Sequence, residues 1–437
     1  MKNYRKLVPL VLVVLLASSW YMLISESNEA DNTYKNYLTE ARKYAEDGIT
    51  KYAMANYNAA LEIKSDVDVY VEVAKYYKSQ KNYGSHLDWC ENFFEIFPTE
   101  PKAYDCLLEA YLIQEDYESC YDVLITAQKR NISTDYIKST TDEIKYVYKL
   151  AYNRYEDVSM FSGGLCAVQN KGAWGFVDRY GEQQIACKYA QVGAFTQSNF
   201  APVVNLAGDT YFIDKTGAKV LVSKEKYSNF GLLINNTIAA QREDGKFVYV
   251  NKDFSVLFGE YDYASTMNNG IAAVRIGEQW QLINEKGERI NEANYFDVKL
   301  DEKQIACRSG RAFVAIAPDK YIMVDASGNQ VGNLQFTDAK VFASSNPTAV
   351  KINNEWCFVD LDGKLVSDKK YQNANSYANG MAAVCIKGKW GFVDEKENIV
   401  IEPRFNAVKD FNELGSCFVK VDDDWQLLKM YRLNRKG

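Results

Sequence analysis

Two spacings of apolar residues divide this chain, and an unbroken apolar run precedes both. From about Tyr34 to Leu150 apolar positions recur every three or four residues, which predicts helices. From Tyr155 onward they alternate, which predicts short strands. Ahead of these, Leu7 to Ile24 is apolar, preceded by Lys2, Arg5 and Lys6 and followed by the polar stretch Ser25 to Glu29. A run of this length, about 18 residues, reaches the lower edge of what crosses a bilayer as a helix. Its basic flank predicts a cytoplasmic N-terminus and an extracytoplasmic remainder. A cleaved signal sequence is the competing reading, but the small residues Ala17, Ser18 and Ser19 lie inside the run instead of after it. The expected organisation is a cytoplasmic flank at 1–6, a transmembrane anchor or signal at 7–24, a linker at 25–33, helical repeats with a capping helix at 34–150, and β-repeats over 151–437.

The helical stretch repeats with a period of about 33–34 residues. Tyr37, Ala41 and Tyr44 correspond to Tyr70, Ala74 and Tyr77, and then to Tyr104, Leu108 and Tyr111. Polar turns at Asp47-Gly48, Lys81-Asn82 and Asp116 split each copy into two helices. Thr134 to Leu150 reads as a terminal helix covering the last open apolar face. The pattern resembles the tetratricopeptide repeat, although His86 and Cys90 replace the small and aromatic residues of the family in the second copy. The resemblance implies a peptide-binding groove, whose positions here are Lys35, Arg42, Lys75, Lys78 and Lys102. That set would suit an acidic peptide, but Asp68 and Glu109 occupy equivalent positions, and a solvated face on a stalk is the alternative.

The alternating region has its own repeat. An aromatic-x-x-apolar-x-x-aromatic element occurs as Tyr155/Val158/Phe161, Tyr189/Val192/Phe195, Tyr371/Ala374/Tyr377 and Phe405/Val408/Phe411. A strand of small residues follows, as in Gly380-Met381-Ala382-Ala383-Val384. The signature comes next, Trp174-Gly175-Phe176-Val177-Asp178 and Trp390-Gly391-Phe392-Val393-Asp394, with variants starting at Tyr211, Phe247, Trp280, Tyr321, Trp356 and Trp425. The eight signatures are spaced by 37, 36, 33, 41, 35, 34 and 35 residues. Alternation puts Trp174 and Phe176 on one strand face, Asn170-Lys171-Gly172 suits a tight hairpin, and the Asp178-to-Gly181 turn, like that at Asp360, suits an Asp-capped turn better than a calcium loop. One unit cannot bury its aromatics alone, so neighbours must stack.

This region is similar to the WG-repeat (Trp-Gly) family, over about two thirds of the chain. The Trp-Gly pair itself survives only twice, so Trp174, Gly175, Asp178, Trp280, Trp356, Trp390, Gly391, Asp394 and Trp425 are read as structural signature residues. The expected fold class is multidomain α and β: a transmembrane helix, a tetratricopeptide-like α-hairpin array, then an all-β repeat array closed as a propeller-like ring or open as a superhelix.

Composition narrows the chemistry. A net charge of -7 disfavours nucleic acid. The 32 Tyr and 21 Phe fit many small packed units, each with its own aromatic anchor. The nine Cys show no C-x-x-C pairing, and the single His, His86, lies in a helical repeat. No metal, cofactor or nucleophile-and-base motif is present, so no catalytic, cofactor or metal residue is assigned. The sequence thus points to a non-enzymatic, membrane-anchored extracytoplasmic scaffold for a protein or peptide partner. The alternative is a cell-wall or glycan-binding module, in which repeated Trp and Tyr side chains would stack on sugars.

Overall fold

The 34-residue helical spacing is realised in the computed structural model, which describes residues 28–431. The helices are α1 (28–46), α2 (Thr50–Ile63), α3 (Val67–Ser79), α4 (Tyr83–Ile96), α5 (Pro101–Ile113), α6 (Tyr117–Lys129) and α7 (Asp135–Ile144). Helices α3, α5 and α7 begin at 67, 101 and 135, one repeat apart. The starts of α3 to α7 have local causes. Asp66, Asn82, Asp116 and Thr134 accept from backbone N–H groups of the first turns of α3, α4, α6 and α7, and Pro101 opens α5, where its missing N–H costs nothing. The core alternates small and aromatic residues: Ala41, Ala53, Tyr57, Ala60 and Val73 in the first pairs, then Tyr70, Phe93 and Ala103.

The fold class read from sequence needs one correction. No described helix is long and apolar enough to cross a membrane, so the expected transmembrane helix is not supported. Helices α2 to α7 run 10–14 residues with polar faces, short of the about 20 apolar residues a span requires. The apolar run from Leu7 to Ile24 and its basic flank lie outside the described residues. Two boundaries also differ. Residues 28–33, expected as linker, are helical, and the capping helix stops at Ile144 instead of Leu150. Tyr148 and Leu150 instead alternate on a strand, and with Tyr146 just before it they pack on the core of the β-array. The chain divides into two compact units at 145/146.

The second unit is built of seven antiparallel sheets that form eight blades, numbered here 1 to 8 in the order of their signatures, blades 1 and 2 sharing one continuous seven-stranded sheet. Their inner strands are Asp157–Val158, the start of blade 2 at Gln191 and Val192, Tyr227–Phe230, Tyr263–Ala264, Asp297–Val298, Asp338–Ala339, Asn373–Ala374 and Ala407–Val408. Each is followed by the small-residue strand, the signature strand and an outer segment. Blades 1, 2, 3, 7 and 8 have four strand segments. In blades 4 to 6 the outer segment is held by isolated bridges such as Trp280 to Tyr295 and Trp356 to Tyr371.

Both faces of every small-residue strand are buried, and this fixes the higher order. In blade 1, Leu165 and Ala167 pack toward blade 2, with Ala201 and Val203. The intervening Cys166 and Val168 pack toward blade 8, with Phe418, Trp425 and Leu427. Ile271 and Ala273 of blade 4 pack against Val314 and Val324 of blade 5, and Ala272 and Val274 against Tyr249 of blade 3. The strand therefore reads as a continuous apolar run of small side chains because a sheet lies on each side of it. Eight apolar cores separate eight blades, and the eighth joins the last blade to the first. The array is thus a closed ring of sheets, and no single sheet curls into a barrel.

Closure is covalently staggered. Strand Tyr148–Tyr155, which precedes blade 1 in the chain, is the outer strand of blade 8 and pairs with Asp424–Met430. The aromatic that begins each sequence repeat lies on the outer segment of the preceding blade: Tyr189 pairs with Trp174, Tyr261 with Phe247, and Phe405 with Trp390. Tyr155 pairs with Trp425 in the same way. The repeat is offset from the blade by one strand. The chain therefore begins the ring with a strand that has no blade and ends it with a blade lacking that strand.

Candidate binding site at the hub of the ring

The Trp-Gly signature is architectural. A Cβ on Gly175 would stand 2.5 Å from the Ile185 carbonyl oxygen, and one on Gly391 2.4 Å from that of Ile401. In both blades the outer strand bulges over the glycine, between the pairs Trp174–Tyr189 and Phe176–Ile185, and between Trp390–Phe405 and Phe392–Ile401. The outer strand also shifts register at the equivalent place in blades 3 and 8, where Val248 and Gln426 stand in the glycine position, so the glycine is required by the close approach in blades 1 and 7 and not by the bulge as such. Trp174, Trp280, Trp356, Trp390 and Trp425 each pack against one of the apolar cores, and none is exposed. Asp178 and Asp394 each accept two backbone N–H bonds at 2.8–3.0 Å within their own turns, as Asp360 does at 2.9 Å, which is the turn chemistry read from the sequence. Cys166, Cys357 and Cys417 are fully buried in the inter-blade cores, as small apolar residues would be.

The groove residues of the helical array lie on α1, α3 and α5 and are exposed. Arg42 forms two 2.8 Å bonds with Glu72, Lys78 contacts Glu109 at 2.5 Å, and Lys102 contacts Asp68 at 2.6 Å. Each pair joins neighbouring repeats and neutralises the cation. Lys35 and Lys75 alone of the five have no such partner among the described residues. His86 is buried, no hydrogen bond reaches its ring nitrogens, and Glu109 stands 4.0 Å away. Burial lowers its pKa.

The convergence of side chains lies at the centre of the ring. Two cavities open there, of about 240 and 550 Å³. The first is walled by small residues of blades 1 to 3, including Ser159, Gly193 and Gly231, and the second by Phe161, Phe342 and Phe411 of blades 1, 6 and 8. With Thr266 of blade 4 and Ala378 of blade 7, the two together touch every blade.

One loop lies between them. The connection from inner to second strand has six to eight residues in seven blades but twelve, 299–310, in blade 5. The extra residues account for the 41-residue step between the signatures at Trp280 and Tyr321, which is the mark this loop leaves in the sequence. The loop is tied down on all sides. Asp301 accepts from the N–H groups of Lys303 and Ile305 at 2.8 and 2.9 Å and from the Arg308 guanidinium at 2.6 Å. Thr266 donates to the carbonyls of Gln304 and Lys303, each at 2.8 Å. Glu302 reaches Lys409 of blade 8 at 2.6 Å.

Cations gather on one arc of the hub. Lys299, Lys340 and Lys409 directly follow the inner strands of blades 5, 6 and 8, where blades 1 to 4 carry Ser159, Gly193, Gly231 and Ser265. Lys299 is paired with Asp338 at 2.9 Å and lies over the Tyr321 ring at 4.4 Å. Lys340 donates to Asn375 at 2.5 Å and lies over the Trp356 ring at 5.3 Å. Asn375 donates in turn to Asp410 at 2.9 Å. Burial pushes the Asp410 carboxyl up to about 6, against the opposing pull of Lys340 and Asn375. Burial also lowers Lys340.

Segments 174–205, 249–280, 358–390 and 390–425 match the family described as WG containing repeat. The chain therefore carries WG repeats, matched at those four segments within the eight-bladed ring. None of the four segments falls in the helical array, where likeness to tetratricopeptide repeats rests on helix spacing. No curated protein matches the chain. Among solved structures, the computationally designed Ika8 protein is similar at TM-score 0.45 and 10% identity, over 64% of this chain and 98% of that one. BamB from Moraxella catarrhalis is similar at TM-score 0.44 and 12% identity, over 65% of this chain and all of that one.

Proposed function

We propose that this chain is a non-catalytic interaction scaffold that receives a segment of a partner protein at the hub of its β-ring. The observation that carries the reading is the hub itself, two cavities that touch every blade and are divided by an inserted loop. Concave sites with apolar walls and a few convergent polar groups are where ligands are held. The charged groups near them are mostly tied to one another, which suits recognition better than proton transfer. The helical array serves as an adaptor or stalk, because three of its five groove cations are neutralised between repeats. The basic flank and apolar run at the N-terminus support export of the repeats from the cytoplasm. A glycan platform is not favoured, because the signature tryptophans are packed between blades.

A photo-crosslinking residue at Phe161, on the hub, compared with one at the outward Tyr152, tests the reading in cells. Partner capture from the hub position is expected. Capture only from Tyr152 would move the interaction to the outer edge and end the hub reading. Protease treatment of intact cells tests export: digestion of the ring without lysis is expected, and protection until lysis would refute it.

A further inference from the structure

The inserted loop presents one cation that the fold does not use. Arg308 is held by Asp301, Lys409 by Glu302, Lys299 by Asp338, Lys340 by Asn375, and Arg179 by the Tyr180 hydroxyl. Lys303 contributes its backbone to the loop through Asp301 and Thr266. No hydrogen bond or ion pair reaches its Nζ among the described residues. Its side chain is half-buried and lies in the wall of both cavities. Burial and the nearby Arg308 lower its pKa, while Asp301 and Glu302 attract it only at longer range. A partly desolvated ammonium with no counter-ion is unfavourable. The loop nevertheless holds it there, with its other charged side chains, Asp301, Glu302 and Arg308, bonded elsewhere.

We propose that Lys303 is the anion-binding residue of a carboxylate site at the hub. This deepens the scaffold reading and rests on it. The chemistry of the surroundings selects the class of ligand. Asp178, Asp301, Asp410 and Glu413 also border the larger cavity. One compact ammonium suffices for one carboxylate group, whereas a phosphate, with its several charged oxygens, calls for more cationic donors than this wall leaves free. The apolar side of the same cavity, with Phe161, Phe342, Phe411 and Leu414, fits the carbon skeleton that carries that carboxylate. The carboxylate can come from a glutamate or aspartate of a partner segment, or from a free dicarboxylate.

The test uses the full chain with its lysines ¹³C-methylated, the Lys303 resonance being identified by its loss in Lys303→Met. Four probes are titrated: succinate, a six-residue peptide capped at both ends with one central Glu, the same peptide with Gln, and inorganic phosphate. A saturable shift of the Lys303 resonance with a carboxylate probe, absent with Gln and phosphate, is expected. Tighter binding of the Glu peptide than of succinate, by tenfold or more, assigns the site to a partner segment, and the reverse assigns it to a free dicarboxylate. Lys303→Met should weaken binding of the carboxylate probe at least tenfold without changing the melting temperature, since its Nζ makes no bond in the fold. No saturable shift, an equal shift with Gln or phosphate, or undiminished binding by Lys303→Met would overturn the assignment. Hub crosslinking that persists in Lys303→Met would leave the scaffold reading standing while this inference fails. Loss of hub crosslinking in the unsubstituted chain would remove the scaffold reading itself.

Discussion

Tyr155 and Trp425 are paired residues of adjacent antiparallel strands, although one opens the β-array and the other closes it. Arg154 and Asp424 add an ion pair at 3.3 Å beside them. The register is that of Tyr189 on Trp174 and Phe405 on Trp390. The ring joint is thus an ordinary blade made from two distant pieces of chain.

That joint should respond to mutation differently from its equivalents. Tyr155→Ala and Tyr189→Ala each remove a buried ring, and each should cost about 3–5 kcal/mol in denaturant unfolding. Only Tyr155→Ala should raise hydrogen exchange across both Leu165–Asn170 and Ser416–Val421, because only there does the chain itself not hold the two blades together. Equal exchange patterns in the two variants would argue against a joint at this position.

The glycine of the signature gives a second contrast. Gly391→Ala places a Cβ 2.4 Å from a backbone carbonyl that a strand holds in place, and a loss of about 2–4 kcal/mol is expected from forced overpacking. Gly172→Ala meets nothing within 4 Å and pays only for its left-handed φ of 73°, about 1–2 kcal/mol. Urea midpoints at constant m-value would rank them, and a larger loss for Gly172→Ala would contradict the close approach.

Asp410 predicts a pH dependence with a definite sign. Its folded pKa, about 6, lies above the ordinary carboxylate value because protein surrounds it and Lys340 and Asn375 compensate only in part. The folded state therefore holds more protons between about pH 4 and 6. Its contribution to stability is full below about pH 4 and is lost as pH rises through 6. The carboxyl opens onto the hub cavity, so the difference should be roughly 1–2 kcal/mol, below the full value of a two-unit shift. Stability of the unsubstituted chain minus that of Asp410→Asn, followed from pH 4 to 7, should fall across that window, and a flat or rising difference would refute the assignment.

In the helical array, the Arg42–Glu72 pair is exposed, with side-chain exposures of 53% and 32%, whereas Tyr57 is buried and donates to Glu72 at 2.7 Å. Arg42→Ala should cost less than about 1 kcal/mol and less still at high salt. Tyr57→Ala should cost about 3–5 kcal/mol at any salt. A salt-insensitive loss above 2 kcal/mol for Arg42→Ala would mean that the pair does more than join repeats.

The sequence by itself determined the periods. Turn residues such as Asp66, Asn82 and Asp116 start helices wherever they stand, because capping is satisfied within one turn of chain. The alternation of Trp174 and Phe176, and the Asp-to-Gly turns, are equally local, and so eight β-units and their signatures were legible. The tertiary structure decided what those units do to one another. Closure depends on a one-strand offset between repeat and blade, and nothing in the neighbourhood of Tyr155 records that its partner is Trp425. The groove cations read as a basic face until Glu72, Glu109 and Asp68 from neighbouring repeats were found to neutralise three of them. The hub was marked in the sequence only by a 41-residue step among shorter ones. Spacing along a chain counts inserted residues, but which side chains meet at the centre of a ring depends on contacts between residues far apart in sequence.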